Sequence, residues 1–202
     1  MTQTLLPLLV FLFPLAYSPG PGNLFFAANG ARFGLRATLP ANAGYHVATW
    51  VVTVGIGLGF SALLDTVPAL FRWIGIAGAL YVLWLALGIL RAGLTPDRVT
   101  ARVAGWWDGA VLLLLNPKAY VIIGLMFSQF LAPTKDHRAG LVLFIATVFT
   151  LNNLLAFLLW TIAGDSLARS FRNPAQARWL TLAMGGALLL VGLWMLRNGV
   201  VG

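Results

Sequence analysis

Six apolar runs, each close to the length of a membrane-spanning helix, dominate the sequence. They are Leu5–Ala31, Leu39–Leu64, Val67–Leu90, Gly105–Leu131, Gly140–Gly164 and Trp179–Val200. A helix needs about 20 apolar residues to cross ~30 Å of hydrocarbon, and each run meets or approaches that length. Hydrophobic residues make up 60% of the chain and charged residues 9%, against roughly 45–50% and 25% in soluble domains. The sequence therefore predicts an all-α integral membrane protein with six transmembrane helices.

The composition excludes several classes of function. The chain has no cysteine, which rules out disulfides, thiolate catalysis and cysteine metal sites. Its five acidic residues are all aspartates at or near the edges of apolar runs. They form no cluster suited to a metal ion, and we expect no metal and no cofactor. A net charge of +8 would suggest nucleic acid as the partner of a soluble protein. In a membrane protein it is better explained by cationic loops held against anionic lipid, so we expect no nucleic-acid partner.

Two short polar interruptions divide apolar runs at similar places in the two halves of the chain. They are Ser18-Pro19-Gly20-Pro21-Gly22-Asn23 and Asn116-Pro117-Lys118, and Pro21 and Pro117 lie 96 residues apart. Proline removes a backbone N–H and clashes with the preceding turn, so each interruption is expected to break its helix. In hydrocarbon such breaks persist only where they are buried in protein or line a cavity. A matched pair of broken helices is the sequence pattern of a secondary-transporter binding site.

The position of the breaks also predicts how the chain is organised. We assign residues 1–90 to a first three-helix half, residues 91–104 to a cytoplasmic linker and residues 105–202 to a second three-helix half. Because each half has an odd number of helices, the second half must be inverted relative to the first. The prediction is a single membrane domain of two inverted three-helix repeats, in which helices 1 and 4 are broken.

The distribution of lysine and arginine predicts the orientation, because cytoplasmic loops carry an excess of these residues. With both termini outside the cytoplasm, the inward loops hold Arg32, Arg36, Arg91, Arg98, Arg102, Arg169, Arg172 and Arg178. The outward side then holds Arg72, Lys135, Arg138 and Arg197. Eight cations inside against four outside favour this arrangement. The first run lacks the positively charged start of a cleaved signal peptide, so we expect it to be retained as a helix.

The interruptions supply the candidate substrate-binding residues. These are Pro19, Gly20, Pro21, Gly22, Asn23, Asn116, Pro117 and Lys118. Lys118 carries the only charge deep inside a run, and a buried ammonium needs a partner or a cavity. It faces a cavity, where it binds a substrate carboxylate or titrates, or it binds carbonyls freed by Pro117, or it extends its ammonium to the membrane surface from a shallower helix. The half-helix after the first break directs free N–H groups into the membrane, which suits an anion; a plain packed kink is the alternative.

Five further polar residues are secondary candidates: Asn42, His46, Gln129, Asn152 and Asn153. Asn42 and His46 are four residues apart and therefore share a helix face. An intramembrane histidine either carries a proton or serves as an interhelical hydrogen-bond partner. Asn152 and Asn153 are adjacent and cannot face the same way, so we expect at most one of them to line a cavity.

Three motifs give the chain a resemblance to a known family. The first run holds Pro19-Gly20-Pro21, the third holds Gly78-Ala79-Leu80-Tyr81-Val82-Leu83-Trp84-Leu85, and the fourth holds Asn116-Pro117-Lys118 with Gln129-Phe130 after it. In these motifs, and in its six apolar runs, the chain resembles the LysE/RhtB family of bacterial amino-acid exporters. The resemblance implies efflux of amino acids or related metabolites through the bacterial inner membrane, with protons as the coupling ion.

The charges inside the runs favour a neutral amino acid or a zwitterionic metabolite over a basic one, because one cation and no acid lie there. Three other classes of protein are less well supported. A small-ion or metal exporter would need a cluster of carboxylate, imidazole or thiolate ligands. An intramembrane enzyme would need Ser18 or Ser128 within reach of His46. A membrane scaffold has no need of a buried lysine. The oligomeric state, including homo-oligomerisation, stays open, as does the choice between His46 and Lys118 as proton carrier.

Overall fold

Seven α-helices make up most of the part of the chain that the structure describes. The computed structural model covers residues 2–63, 68–94, 102–131, 138–170 and 174–201, and these residues contain no strand. The helices are α1 (Thr2–Tyr17), α2 (Pro21–Leu63), α3 (Pro68–Leu94), α4 (Trp106–Leu114), α5 (Pro117–Phe130), α6 (Arg138–Ser170) and α7 (Pro174–Val201). The predicted all-α class is confirmed.

Both predicted interruptions are sharp bends. α1 and α2 meet at 61°, and α4 and α5 meet at 62°. In each case a proline, Pro21 or Pro117, is the first residue of the second helix. Proline is well suited to that position, because its missing N–H would have no partner inside the helix and its φ angle is already helical. The two breaks therefore arise from the same local chemistry and have nearly the same angle.

A third bend lies inside α2, at Gly34. Its φ of 80° and ψ of 166° belong to a region that only glycine occupies without strain. The sequence predicts a loop between Ala31 and Leu39, whereas the structure turns the chain at this one residue and is helical on both sides. The backbone N–H of Leu35, just after the bend, donates to Asp165 Oδ2 at 3.2 Å. A carboxylate at the start of a helical segment is favoured by the helix dipole.

The helices approach one another closely where glycines lie at the contacts. α2 packs against α6 and α4, and α3 packs against α7. A Cβ atom on Gly30 would collide with the carbonyl of Thr161 in α6, and one on Gly109 in α4 would collide with the carbonyl of Ala41. Small residues at such crossings let backbones pack together, which is the usual basis of helix association in membranes. Glycine thus allows α2 to lie in direct backbone contact with α6 and α4.

Length and composition identify up to three membrane spans among the described residues. α6 is long and apolar enough to cross a membrane alone, and each bent pair qualifies when it is counted as one span. α3 and α7 contribute the shorter apolar stretches Ala79–Arg91 and Gly185–Trp194. The predicted total of six spans, and their arrangement as inverted repeats, stays a prediction.

The predicted linker of residues 91–104 is only partly described. α3 continues to Leu94, so the first four residues of that range are helical, and residues 102–105 precede α4 in non-helical backbone. Residues 95–101 lie outside the described part, as do Asp65, Lys135 and Asp136. The division into halves at 90 and 105 therefore also stays a prediction.

Candidate site between the two broken helices

Lys118 connects the two breaks. It lies in the first turn of α5, and its Nζ atom donates to both the carbonyl oxygen and the Oγ of Ser18, each at 3.0 Å. Ser18 directly follows α1, so a cation from the second half of the chain binds the open end of the first broken helix. The acceptors of this half-buried ammonium thus belong to the first break, and not to the carbonyls freed by Pro117.

Asn116 organises the start of α5 and joins it to α2. Its Oδ1 accepts the N–H of Lys118 at 3.2 Å as the helix cap, and its Nδ2 donates to the Tyr45 hydroxyl at 2.8 Å. A capping side chain of this kind satisfies one of the N–H groups left open at a helix start. Because Tyr45 is buried in α2, the second break is tied to the helix that follows the first.

The carbonyls at the end of α1 are bound by side chains. Asn23 Nδ2 donates to the carbonyl of Ala16 at 2.9 Å, and Trp160 Nε1 donates to that of Tyr17 at 3.2 Å. The last carbonyls of a helix have no partner within it, and in hydrocarbon each would be costly if left open. Asn23 and Trp160 therefore stabilise the interruption within the protein.

The glycines of the first break make room for these contacts. A Cβ on Gly20 would lie 3.0 Å from Nζ of Lys118, and one on Gly22 would lie 2.6 Å from Cζ of Phe157. Gly20, Pro21 and Gly22 are buried, whereas Pro19 is exposed. Any larger residue at Gly20 or Gly22 would displace the lysine or the aromatic ring.

A small cavity lies between the two breaks. Its volume is about 20 Å³, and its lining includes Asn23, Tyr45, Asn116, Lys118, Asn153 and Phe157. Such a volume accommodates about one water molecule. No carboxylate lines this cavity. Residues 2–63, 68–94, 102–131, 138–170 and 174–201 contain no group of three or more histidine or aspartate residues that could hold a metal ion.

His46 is linked to this cavity through Asn153. Its Nδ1 is 2.8 Å from the carbonyl oxygen of Asn42, and its Nε2 is 3.4 Å from Nδ2 of Asn153. An amide nitrogen only donates, so Nε2 accepts and the proton is placed on Nδ1, which donates to the carbonyl. A neutral imidazole is thereby held between α2 and α6 with both nitrogens engaged.

Asn42, Gln129 and Asn152 lie apart from the cavity. Asn42 and His46 line a separate groove of about 550 Å³ between α2 and α6, together with Trp50 and Thr150. Asn42 Nδ2 donates to Thr161 Oγ1 at 3.3 Å. Of the asparagine pair, Asn153 lines the cavity and Asn152 does not. Gln129 is exposed near the end of α5 and lines neither space.

Three residues of the site are absent from the sequence-based candidates. Ser18 receives the lysine, Tyr45 receives Asn116, and Phe157 packs against Tyr45 with ring centroids 4.8 Å apart. Tyr45 had a usable signal, since it lies three residues after Asn42 and thus near the same helix face. Ser18 belongs to the predicted interruption, but a serine there gives no sign that its oxygens face a lysine 100 residues away. Phe157 carries no sequence signal beyond its hydrophobicity.

Comparison with known proteins assigns the chain to a family. The sequence profile of the LysE type translocators matches residues 13–199. An uncharacterized membrane protein of Vibrio cholerae is 34% identical over 168 residues, which cover 78% of each chain. A cysteine/O-acetylserine efflux protein of Escherichia coli K12 is 28% identical over 190 residues, covering 91% of this chain and 94% of the relative. A homoserine/homoserine lactone efflux protein of Salmonella typhimurium is 26% identical over 183 residues, 88% of each chain.

No solved structure is a significant match. The family profile extends over nearly the whole chain and includes both interruptions and every residue of the cavity lining. The apolar helices and the membrane-protein relatives agree in describing a multi-pass bacterial membrane protein. The chain belongs to the LysE type translocator family.

Proposed function

We propose that this protein exports neutral amino acids, or similarly zwitterionic metabolites, from the cytoplasm across the bacterial inner membrane in exchange for protons. Two of the relatives named above are efflux proteins for cysteine/O-acetylserine and for homoserine/homoserine lactone, and apart from the lactone these substrates are small α-amino acids. The binding site is the cavity between the two breaks. The observation that carries the proposal is the contact of Lys118 with Ser18 across this cavity.

The chemistry of the two breaks complements a zwitterion. Lys118 and the N-terminal ends of α2 and α5 all present positive charge or helix-dipole positive ends, which favour a carboxylate. The C-terminal ends of α1 and α4 carry the negative ends of their helix dipoles, which favour an ammonium. Breaks of this kind serve as substrate sites in transporters whose helices are discontinuous near the midplane.

Lys118 also provides a means of coupling binding to opening. A cavity of about 20 Å³ is too small for an amino acid, so this conformation is closed. A substrate carboxylate would compete with Ser18 for the ammonium, and only a conformation in which α1 and α5 have moved apart offers it that position. A ligand shifts a conformational equilibrium by its differential affinity for the two states. Here the difference in affinity arises because Lys118 binds Ser18 in the closed conformation and the substrate carboxylate in the open one.

The inverted repeat agrees with the geometry of the two breaks. The bends of 61° and 62° are nearly equal, and α2 contacts α4 as α6 contacts α1. A two-fold relation that exchanges α1 with α4 and the later part of α2 with α6 would produce both features. Alternating access then corresponds to rocking of one repeat against the other about the site.

His46 is the residue we assign to proton exchange. Its imidazole adjoins the cavity through Asn153 and packs at a tilt against Tyr45, with ring centroids 5.2 Å apart. Protonation at Nε2 would turn that atom from an acceptor into a donor and break its bond with Asn153. Protonation of His46 can therefore change the hydrogen bonding of Asn153, which lines the cavity. Replacement of His46 by glutamine should uncouple efflux from an imposed proton gradient while leaving substrate exchange between identical solutions intact.

The central test is efflux from liposomes that contain the purified protein. Vesicles are loaded with labelled homoserine or O-acetylserine, and release is measured under a proton gradient. We expect Lys118→Met to lower the rate roughly 10- to 100-fold, because a hydrogen bond to a charged group contributes about 1.5–3 kcal/mol. Arg36→Gln removes an exposed cation from α2 and should leave the rate unchanged. Equal rates for Lys118→Met and the wild type, at equal membrane abundance, would remove the lysine from the mechanism.

The same lysine–serine contact favours a second candidate function, a hydrolase. A serine hydroxyl 3.0 Å from the Nζ of a lysine has the geometry of a nucleophile with its base once that amine has lost its proton, and Ser–Lys pairs act in some hydrolases. The predicted alternative of Ser18 with His46 is not formed, because His46 bonds to Asn42 and Asn153; the side chain of Ser128 lies outside the described part. A fluorophosphonate that labels wild type but not Ser18→Ala would support the hydrolase. An exporter predicts no labelling, and efflux by Ser18→Ala within about threefold of wild type, since the backbone carbonyl still accepts.

A further inference from the structure

A second cavity, about 360 Å³ in volume, lies away from the breaks between α2, α3 and the segment before α4. Its walls include Arg32, Arg91, Arg102, Asp108, Phe25 and Trp84. We name it the arginine vestibule. Its volume falls in the range of small-molecule sites, about 300–1,000 Å³. The three arginines belong to the loops and helix ends that the charge distribution places on the cytoplasmic side.

The vestibule has an excess of positive charge. Among the described residues that line it, Asp108 is the one carboxylate, and that group is already engaged, since one oxygen accepts from Arg102 and the other accepts the N–H of Gly105 at 2.7 Å. Within the described lining, three guanidinium groups thus face one carboxylate. A concave wall of one charge raises the local concentration of the opposite ion.

Arg32 contributes a donor without an acceptor. Its Nε atom is buried and makes no hydrogen bond within the described residues. Its guanidinium lies over the ring of Phe33, 5.4 Å from the centroid, which holds the side chain in one orientation. Leaving a buried polar group without a partner destabilises the protein. A ligand oxygen at that position would remove the cost, and a guanidinium is well shaped to bind a planar carboxylate.

Two aromatic residues separate the vestibule from the site between the breaks. Phe25 lines the vestibule, and its ring lies 5.3 Å from that of Phe26. Phe26 in turn packs against Tyr45 at 5.8 Å and Phe157 at 5.2 Å, and both of these line the smaller cavity. The pair therefore forms an apolar barrier between a roomy cationic chamber and a closed site.

We propose that the arginine vestibule is a second ligand site, in which Arg32 binds the carboxylate of a small amino acid before it passes the Phe25–Phe26 barrier. The inference rests on the proposed export function for the identity of the ligand. The shared chemistry of an anionic oxygen group also fits a lipid headgroup, because Trp84 and Leu87 at the rim are exposed. Arg91 and Arg102 provide the surrounding positive field, and Arg32 provides the direct contact.

A single cysteine at Gly88 can report which ions enter the arginine vestibule. It has no cysteine, and Gly88 lines the vestibule with nothing within 4 Å of an added Cβ. Gly88→Cys is placed in nanodiscs of phosphatidylcholine and treated with thiosulfonate reagents that carry either a sulfonate or a trimethylammonium group. We expect the anionic reagent to react about tenfold faster. Arg32→Gln should reduce that preference severalfold, whereas Arg36→Gln, beyond the bend at Gly34 and outside the vestibule, should not.

Ligand protection distinguishes the possible sources of the anion. Homoserine should slow labelling of Gly88→Cys, and 3-amino-1-propanol, which is homoserine without its carboxylate, should not. Protection should disappear in Arg32→Gln. The proposal is overturned if neither reagent reacts, if the cationic one is faster, or if homoserine gives no protection. It is also overturned if phosphatidylglycerol removes the preference for the anionic reagent and homoserine adds nothing further, since the site would then hold a lipid.

These measurements do not depend on transport. If wild type exports amino acids but homoserine gives no protection, the vestibule proposal fails and the proposed function stands. If homoserine protects but no efflux occurs from liposomes, the vestibule stands as a binding site and the proposed function fails.

Discussion

Lys118 is tolerated inside the protein because its ammonium has two good acceptors. Placing a lysine at the centre of a membrane helix costs on the order of 2.5–3.5 kcal/mol on insertion scales. Each hydrogen bond from a charged group contributes about 1.5–3 kcal/mol, and Lys118 makes two to Ser18. The two hydrogen bonds thus offset the free-energy cost of burying the ammonium, and no acidic partner is needed. Ser18 binds the lysine without neutralising it, so the charge remains available to a carboxylate that displaces the serine.

Among the single residues of the site, Tyr45 gives a testable prediction. Tyr45→Phe removes the acceptor of the Asn116 amide, which is 4% exposed, and leaves a buried donor unpaired. We expect a loss of about 1–3 kcal/mol in stability, seen as a lower melting temperature in detergent, together with slower efflux because the cap of α5 loosens.

Tyr81→Phe serves as the matched control. The hydroxyl of Tyr81 is 3.5 Å from the carbonyl of Asp108, at the outer limit of a hydrogen bond, so its removal should cost less than about 0.5 kcal/mol. Equal effects of the two substitutions would contradict a special role for Tyr45.

Individual residues of the site differ in how far the sequence could predict them. Lys118, Asn116 and Asn23 are evident because charge, amide and proline stand out against an apolar background. The partners of Lys118 and Asn116 are not evident in the sequence. Ser18 and Tyr45 acquire their roles only from contacts with residues 100 and 71 positions away. Local patterns carry no information about which distant helix lies opposite, so the sequence predicts the donors more readily than the acceptors.

The bends determine the shape of the helices, and each has a local cause. Two follow from proline and are readable in the sequence. The third, at Gly34, is not, because a glycine in an apolar stretch is more often a packing position than a turn. Its backbone angles are forced by the contacts on either side, among them the bond from Leu35 to Asp165, which lies 130 residues away.

Gly34→Ala tests whether the bend inside α2 requires glycine. At φ 80° and ψ 166° an alanine is strained by on the order of 1–3 kcal/mol. Space is not the cause, because an added Cβ would meet only Asp165 Oδ1, at 3.7 Å. We therefore expect a lower melting temperature in detergent and lower abundance in the membrane.

Gly55→Ala provides the comparison within the same helix. Nothing lies within 4 Å of an added Cβ at Gly55, and alanine is favoured over glycine in a helix by about 0.5–1 kcal/mol. Its melting temperature should match or exceed that of the wild type. If Gly34→Ala behaved in the same way, the bend at Gly34 would not be a requirement of the fold.

At the scale of the whole molecule, orientation decides which cavity faces the cytoplasm. The excess of arginine and lysine in the predicted inward loops predicts that both termini lie outside. Val103, which is 41% exposed before α4, should then be inside, and the exposed Ala139 at the start of α6 should be outside. In intact cells or spheroplasts an impermeant maleimide should label Ala139→Cys at once and Val103→Cys only after permeabilisation. The reverse order would place the arginine vestibule on the outer face and make it a release site.

The distribution of charge over the whole molecule also predicts substrate preference. The cavity between the breaks contains one cation and no carboxylate, and Asp108 and Asp165 are held elsewhere by Arg102 and Arg169. A neutral amino acid can place its carboxylate at Lys118 and its ammonium among helix carbonyls. Lysine or arginine would bring a second cation into the same space. Its outward movement would also work against an inside-negative potential, at about 2.3 kcal/mol per charge per 100 mV.

A competition experiment measures this preference directly. Liposomes loaded with labelled homoserine are assayed for proton-driven efflux in the presence of unlabelled homoserine, cysteine, lysine or arginine at equal concentrations. We expect the neutral amino acids to compete at least about tenfold better than the basic ones, since one unfavourable charge contact of about 1.4 kcal/mol suffices for that ratio. Lys118→Gln is the control, because removal of the lysine charge should reduce the difference in competition between neutral and basic amino acids. Stronger competition by lysine or arginine in the wild type would mean that a carboxylate reaches the site in another conformation, with Asp108 or Asp165 released from its arginine.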